Sequence, residues 1–170
     1  KAGADTIARL ILPTMNAWID VGAREKLPER HLLAVDSRMR PEPALALQVA
    51  LVQIATKHIA DAAALADGIT LTDRTSQLVG LRVVATLEKA GERDAAQRLR
   101  GRIALASGQR EDPMLLLPDQ PVSTPRAGTA QWLGLLADGL GRTPNGSAKL
   151  PLLFARAAFW LNDQDLAVRA

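Results

Sequence analysis

Residues 75–108 constrain the fold of this chain more than any other stretch, because they read as two amphipathic helices joined by a tight turn. In the first helix, apolar residues recur every three or four positions and form one stripe: Leu78, Leu81, Val84, Ala85 and Leu87. The second helix carries a facing stripe: Ala95, Leu99, Ile103 and Ala106. Because neither helix can bury its stripe alone, the pattern predicts an αα-hairpin that packs against further helices.

The ends of both helices carry residues that helix termini favour. Asp73, Thr75 or Ser76 can accept a hydrogen bond from the free N–H groups of the first turn. Gly91 suits the left-handed residue that closes the first helix, and Gly108 ends the second. The hairpin is therefore predicted to start and stop at defined positions.

The rest of the chain continues the helical pattern. An amphipathic helix is predicted over 5–22, with Asp5 as its N-cap and Pro13 as a kink or a break. The longest helix is predicted over 43–67, and its wide apolar surface predicts a central position. Shorter helices are expected after Pro28, over 129–140, over 150–161 and from residue 164 onward.

Composition supports helices as the regular element. Hydrophobic residues make up 48% of the 170 residues, whereas aromatic residues make up 3%. A core of alanine, leucine, valine and isoleucine has to gain its stability from close helix packing, and the alternation typical of β-strands is absent. The predicted fold is all-α: an irregular bundle of about seven to eight helices in antiparallel pairs, partly solenoid-like.

Segment 109–126 is rich in proline, which excludes a continuous helix there. Its prolines are Pro113, Pro118, Pro121 and Pro125. The chain is therefore divided into an N-terminal helical subdomain (1–112), a proline-rich connection (113–126) and C-terminal helices (127–170). The chain stops within a predicted helix, so we expect a domain of a longer protein, with helices that continue past residue 170. Its arginine and alanine content is typical of GC-rich bacterial genes.

Two turns of the chain share a local pattern. Residues 87–98 can be aligned with residues 158–169, and the two turns lie 71 positions apart, from 91 to 162. That distance is close to twice the length of a helix-pair repeat. The matched positions are Gly91 with Asn162, Asp94 with Asp165, Ala96 with Ala167, and Arg98 with Arg169.

This pattern resembles the turn between the two helices of a tetratricopeptide repeat, with Ala96 and Ala167 at the small packing position of the second helix. The chain departs from the family at Gly80 and Pro151, where a large apolar residue is expected, and at Arg100, where an aromatic residue is usual. The resemblance covers two turns, and generic αα-hairpin turns are the alternative. It implies a concave peptide-binding or scaffold surface built from stacked helix pairs.

The sequence carries no recognisable catalytic or metal-binding motif. Cysteine is absent, which excludes disulfides and thiolate metal sites and leaves the compartment open. His31 and His58 have Asp36 and Asp61 a few residues away, but a structural or surface role is favoured over a metal site or an acid–base pair. No serine elbow, no phosphate-binding glycine loop and no stretch long enough for a transmembrane helix is found. No cofactor is expected, and a non-enzymatic function is favoured.

Arginines crowd the second helix of the hairpin, and the candidate partner-binding residues are Arg93, Arg98, Arg100 and Arg102. Arg98 and Arg102 lie one turn apart and are predicted to share a face, whereas Arg100 points elsewhere. Recognition of phosphate or of an acidic peptide is the functional interpretation. A solvated helix face is the alternative and the favoured one. The low aromatic content argues against nucleic acid, because few rings are available to stack on bases.

The missing catalytic motifs and the repeat-like turns favour a non-catalytic protein-interaction or scaffold module of a larger bacterial protein. The partner is expected to be a protein or peptide, acidic if the arginines contact it, in keeping with the net charge of +3. A helical accessory domain of an enzyme whose active site lies elsewhere is the first alternative, and nucleic acid binding through the arginine-rich helix is the second.

Three tryptophans lie in apolar stripes and are predicted core anchors: Trp18, Trp132 and Trp160.

Overall fold

The structure, a computed structural model, describes residues 2–33, 42–71, 73–108, 115, 120–143, 146–165 and 169. These residues contain eight α-helices and no β-strand, which confirms the all-α prediction. None of the helices described is both long and apolar enough to cross a membrane. The helices are α1 (Ala2–Ala23), α2 (Arg30–Leu33), α3 (Pro43–Ala55), α4 (Ile59–Gly68), α5 (Arg74–Ala90), α6 (Arg93–Ser107), α7 (Pro125–Gly141) and α8 (Lys149–Leu161).

The predicted hairpin is present as α5 and α6. Asp73 caps α5, because its carboxylate accepts a hydrogen bond from the Ser76 amide at 2.9 Å. The Ser76 hydroxyl in turn accepts one from the Asp73 amide at 3.3 Å, which completes a reciprocal capping box. Gly91 closes the helix with a φ of +97°, a conformation that glycine adopts without steric cost. Both ends of α5 are therefore fixed by local sequence.

α6 packs against α5 through three of the four predicted residues, Ala95, Leu99 and Ile103, which are buried. At Gly80 the two helices approach so closely that a β-carbon would lie 3.0 Å from the Ile103 side chain. This close approach is how a core of small residues reaches dense packing. Ala106 is exposed, so the predicted stripe was one residue too long. None of the elements described covers the last turn of α6.

The helix predicted over 43–67 is two helices, α3 and α4, so that prediction was wrong. The break comes at Lys57, whose φ of +71° is left-handed. The Lys57 amide donates to the Ile54 carbonyl at 3.1 Å. The His58 amide donates to the Gln53 carbonyl at 2.8 Å, which completes a Schellman closure formed without glycine. The apolar periodicity runs through this turn, and periodicity was the signal on which the prediction rested.

α1 begins at Ala2, ahead of the predicted N-cap Asp5, and runs through Pro13 without a break. Proline removes a single N–H donor from the helix. Core contacts on both sides of it, from Ile11 and from Trp18, hold the two halves in one helix. Tertiary packing therefore outweighs the local effect of proline.

α3 and α5 form the centre of the bundle, and both are buried over most of their length. The central position predicted for segment 43–67 is confirmed for α3. The helices pack in pairs, α3 with α4, α5 with α6 and α7 with α8, while α3 also packs on α5. α1 packs against α3 and α7, so the bundle closes on itself. Stacked repeats contact only their neighbours in sequence, and the contact between α1 and α7 is of a different kind.

Two contacts hold α1 and α3 against α7. The Trp18 indole is fully buried against Gly128, where a β-carbon would come within 2.0 Å of the ring. Gln48 Nε2 of α3 donates to Gln131 Oε1 of α7 at 3.0 Å in the buried core. Trp132 is also buried, so two of the three tryptophans are the core anchors that the sequence predicted.

The central helix α5 also holds the described part of the predicted connection 113–126, of which residues 113–114 and 116–119 lie outside the described residues. Val122 is buried, and its amide donates to the Thr86 hydroxyl at 2.9 Å. Close by, Arg82 forms a buried ion pair with Asp165, with Nη2 2.6 Å from Oδ1. α5 therefore anchors both the connection and the segment that follows α8.

The second repeat-like turn differs from the first in its backbone. Asn162 has a φ of −151°, not the left-handed conformation of Gly91. Asp165 is buried, whereas Asp94 is exposed in the first turn of α6. Ala167 and most of the helix predicted from residue 164 lie outside the described residues. The tetratricopeptide resemblance therefore stays a prediction.

Candidate functional site

Two of the candidate arginines tie α6 to the C-terminal end of α4. Arg98 pairs with Asp67: its Nη2 lies 2.6 Å from Oδ2, and its Nε lies 3.2 Å from the same oxygen. Arg102 donates to the carbonyls of Ala66, Asp67 and Ile69 at 2.5, 2.9 and 2.9 Å. The last carbonyls of a helix lack partners within the helix and favour a cation, so these arginines stabilise the end of α4.

The other two candidates, Arg100 and Arg93, lie apart from that pair. Arg100 turns to α5, where its Nη1 lies 2.5 Å from Glu88 Oε1. Arg93 is exposed in the first turn of α6. The shared face of Arg98 and Arg102, and the different direction of Arg100, are as predicted. A partner at the shared face would have to compete with contacts inside the chain, and partner binding by these four residues stays a prediction.

The Arg98–Asp67 pair shifts the pKa of both groups. The hydrogen bond from Arg98 lowers the pKa of the Asp67 carboxyl below its ordinary value of 3.8. Burial opposes this in part, and the charges of Arg98 and Arg102 lower the pKa further. The same hydrogen bond raises the pKa of the Arg98 guanidinium. The side chains are 36% exposed at Asp67 and 56% exposed at Arg98, so solvent screens the pair and its contribution to stability is small.

Replacing Asp67 with asparagine is expected to weaken the dependence of the free energy of unfolding on pH in the acid range. A carboxyl with a lowered folded-state pKa stabilises the fold above its unfolded pKa, and this contribution is lost as the pH falls through the folded value. In urea denaturation, the wild type should be slightly more stable than Asp67→Asn at about pH 7, and the difference should disappear as the pH falls through the lowered pKa of Asp67. Arg98→Met should cause the same small loss. A difference that persists in about 1 M salt would contradict the ionic origin.

Each histidine contacts a side chain other than the carboxylate considered from the sequence. His31 Nε2 lies 2.8 Å from Asp20 Oδ2, while Asp36 lies outside the described residues. His58 Nδ1 lies 3.1 Å from the Thr56 hydroxyl. Among the side chains that the structure describes, no group of three histidine, aspartate or glutamate residues is placed to hold a metal ion. His31 therefore joins α2 to α1, and His58 contacts the turn between α3 and α4.

α8, the last of the eight helices described, exposes an apolar surface that includes Trp160, which the sequence analysis had assigned to the core. Phe154 and Ala158 face the bundle and are buried. The α8 apolar face lies on the other side of the helix and consists of Leu152, Leu153, Phe159 and Trp160, which are 53, 59, 49 and 76% exposed. The prediction that Trp160 anchors the core was therefore wrong. α8 is apolar on two opposite sides, and only one side packs against α7.

Arg156 lies at the centre of the α8 apolar face. Residues 152, 153, 156, 159 and 160 fall on one side of a helix that turns by roughly 100° per residue, and Arg156 is exposed there. A second arginine, Arg126 of α7, flanks the face: its guanidinium carbon lies 5.9 Å from the centre of the Trp160 ring. The Arg126 Nη2 also donates to the Trp160 carbonyl at 3.0 Å. The face therefore combines apolar area with positive charge.

A cleft of about 450 Å³ between α1, α7 and α8 adjoins this face. Its walls are mostly apolar and include Met15, Ile19, Leu133 and Trp160. Ile19 on α1 is 60% exposed at the cleft, and Trp160 belongs to both the cleft and the α8 apolar face. The two features therefore form one continuous apolar surface across α1 and α8.

The sequence of α8, KLPLLFARAAFWL, contained a signal for this surface. A helix that buries one side needs a single apolar stripe, whereas this segment carries large apolar residues on its charged side as well, next to Lys149 and Arg156. Such a helix is either buried all round or meets a second surface.

No protein-family model matches this chain, and no curated protein or solved structure matches it either.

Proposed function

We propose that this domain is a non-catalytic interaction module that binds a partner protein through the α8 apolar face. The supporting observation is that four large apolar side chains are exposed on one side of a single helix: Leu152, Leu153, Phe159 and Trp160. Exposed apolar residues are common one at a time, whereas contiguous groups are typical of interaction sites. Tryptophan and arginine, both present here, are enriched among residues that dominate binding energy.

The partner that suits this face is an amphipathic helix with a carboxylate opposite Arg156. The exposed residues follow the three- and four-residue spacing whose ridges pack into the grooves of a second helix. A carboxylate would form a charge-assisted hydrogen bond with Arg156 as the surrounding apolar residues exclude water. This retains the expected acidic protein partner but assigns it to α8 instead of the arginines of α6. The tetratricopeptide-like turn at residues 87–98 also supports an interaction role.

The test compares proteins captured by the wild type and by two variants. Leu153→Glu with Trp160→Glu places charge on the face, and both side chains are exposed, so the fold should be retained. Leu105→Glu is the matched control, because Leu105 is 85% exposed on α6, away from the face. We expect a partner, identified by mass spectrometry, that binds the wild type and the control but not the double variant.

The purified partner then gives the quantitative result. The double variant should raise its Kd by about 100-fold, as expected when hot-spot residues are lost. Binding should also shield the Trp160 fluorescence from acrylamide. Equal capture by all three proteins would overturn the proposal. Self-association of the wild type that the double variant abolishes would show that a second copy, not a different protein, covers the face.

A further inference from the structure

A second cleft, of about 550 Å³, lies between the loop after α1 and the turn between α3 and α4. Its apolar lining includes Val21 and Ala55, and its charged lining includes Arg24, Lys26 and Lys57. It is separate from the α8 apolar face, and its chemistry is different: apolar side chains lie beside three cations. We refer to it as the cationic cleft.

The backbone of the cationic cleft is strained at three positions. Arg24, Leu27 and Lys57 have φ values of +59, +54 and +71°, and they are the non-glycine residues with positive φ in the part of the chain that is described. All three line this cleft. Residues other than glycine rarely adopt this conformation, and such strained positions concentrate at functional sites.

Arg24 and Lys57 occupy equivalent positions at the ends of two helices. The Arg24 amide donates to the Val21 carbonyl at 3.2 Å, and the next amide donates to the Asp20 carbonyl at 2.9 Å. Lys57 closes α3 with the same pair of hydrogen bonds, to residues 54 and 53. Glycine is the usual residue at this position, as Gly91 shows at the end of α5. Both helices that end at the cationic cleft instead carry a long cationic side chain there.

The cations of this cleft are not neutralised by ion pairs within the described residues. No aspartate or glutamate described pairs with Arg24, Lys26 or Lys57, in contrast to Arg98 and Arg82. Glu25 lines the same cleft and offsets part of the charge. The last carbonyls of α1 and α3 accept backbone hydrogen bonds, and the three cationic side chains are exposed to solvent at the cleft.

We propose that the cationic cleft binds a small amphiphilic anion, with an apolar body and a carboxylate or phosphate head. The apolar body would contact Val21, Leu27 and Ala55. The head would lie between Arg24 and Lys57, where charge-assisted hydrogen bonds are available. The volume of about 550 Å³ suits a ligand of small-molecule size, because it falls within the range for binding pockets.

The test uses octanoate and octyl phosphate as probes, with 1-octanol as the uncharged control, in calorimetric titrations. We expect saturable binding of at least one anion and binding of octanol that is roughly tenfold weaker or weaker still. The preferred head group identifies the ligand class, since tighter octyl phosphate indicates a phosphate and tighter octanoate a carboxylate. Equal affinity for octanol and both anions would overturn the proposal, because the cations would then have no role.

The variants Arg24→Gly and Lys57→Gly separate binding from stability. Glycine relieves the left-handed strain at both positions, so the Tm should be unchanged or raised. Each variant should weaken anion binding by roughly tenfold, whereas Glu25→Gln should strengthen it by removing the opposing charge. Unchanged affinity in the Arg24→Gly, Lys57→Gly double variant would overturn the proposal and place any bound anion elsewhere.

Discussion

Alanine in place of Gly128 is expected to lower the free energy of unfolding by about 3 kcal/mol or more. A β-carbon at this position would lie 2.0 and 2.3 Å from two atoms of the Trp18 indole. The ring is fully buried in the contact between α1 and α7, so it has to shift from its packed position to admit the added carbon. For a chain of this length the corresponding fall in Tm is about 6–12 °C.

The matched control is Gly139→Ala in the same helix, α7. A β-carbon at Gly139 would meet nothing within 4 Å, so alanine should leave stability unchanged or raise it by up to about 1 kcal/mol. Chemical denaturation of both variants measures the difference. In a Trp18→Leu background the Gly128→Ala substitution should cost much less, because the ring that causes the clash is gone. A loss below about 0.5 kcal/mol for Gly128→Ala alone would contradict the packing of α1 on α7.

Alanine in place of Asp165 is expected to cost about 3 kcal/mol, because it leaves the Arg82 guanidinium buried without its counter-ion. The two side chains are 10% exposed at Arg82 and 4% exposed at Asp165, and Nη2 lies 2.6 Å from Oδ1. Arg82 also donates to the Gln120 carbonyl at 3.4 Å. If the guanidinium shifts in the Asp165→Ala variant, this contact to the segment before α7 should be weakened as well. Arg82→Met should also be destabilising, because it removes the cation that pairs with the buried Asp165 carboxylate.

Asp163→Ala is the control for this prediction, since Asp163 is exposed two residues earlier and should change stability by less than about 0.5 kcal/mol. The combined variant Arg82→Met with Asp165→Leu should recover most of the loss, because an apolar pair of similar volume has no charge to desolvate. Urea denaturation gives all four values. If Asp165→Ala behaves like Asp163→Ala, the end of α8 is not held on α5 by this ion pair.

The arginines of α6 show what helical spacing can predict and what it cannot. The spacing of Arg98 and Arg102 predicted a shared face, which the structure confirms. Their partners, Asp67 and the neighbouring carbonyls, lie on α4, about 30 positions away in the chain. Helical spacing says which side chains point together, but not which element they meet. The sequence therefore identified a cluster without its intramolecular partners.

The predictions for the α3–α4 segment and for the exposed side of α8 were wrong for a similar reason. The segment 43–67 is apolar across Lys57, so periodicity predicted one helix where backbone hydrogen bonds form two. α8 carries large apolar residues on both sides, and only Lys149 and Arg156 mark the side that faces solvent. In each case two structures satisfied the local pattern. The backbone closure at Lys57 selected one of them in the first case, and packing of α8 against α7 did so in the second.

The sequence by itself determined the helical class and the α5–α6 hairpin, including the left-handed Gly91. It limited the cap of α5 to Asp73, Thr75 or Ser76, of which the structure shows Asp73. These features depend on residues within one or two turns of each other, so local spacing is sufficient to define them. Only the tertiary structure decided that α1 packs on α7, that Arg82 pairs with Asp165, and that Trp160 faces solvent. Those outcomes depend on how whole helices pack together. Each helix could bury its apolar surface against several other helices, and the arrangement that packs all of them most densely is the one that forms.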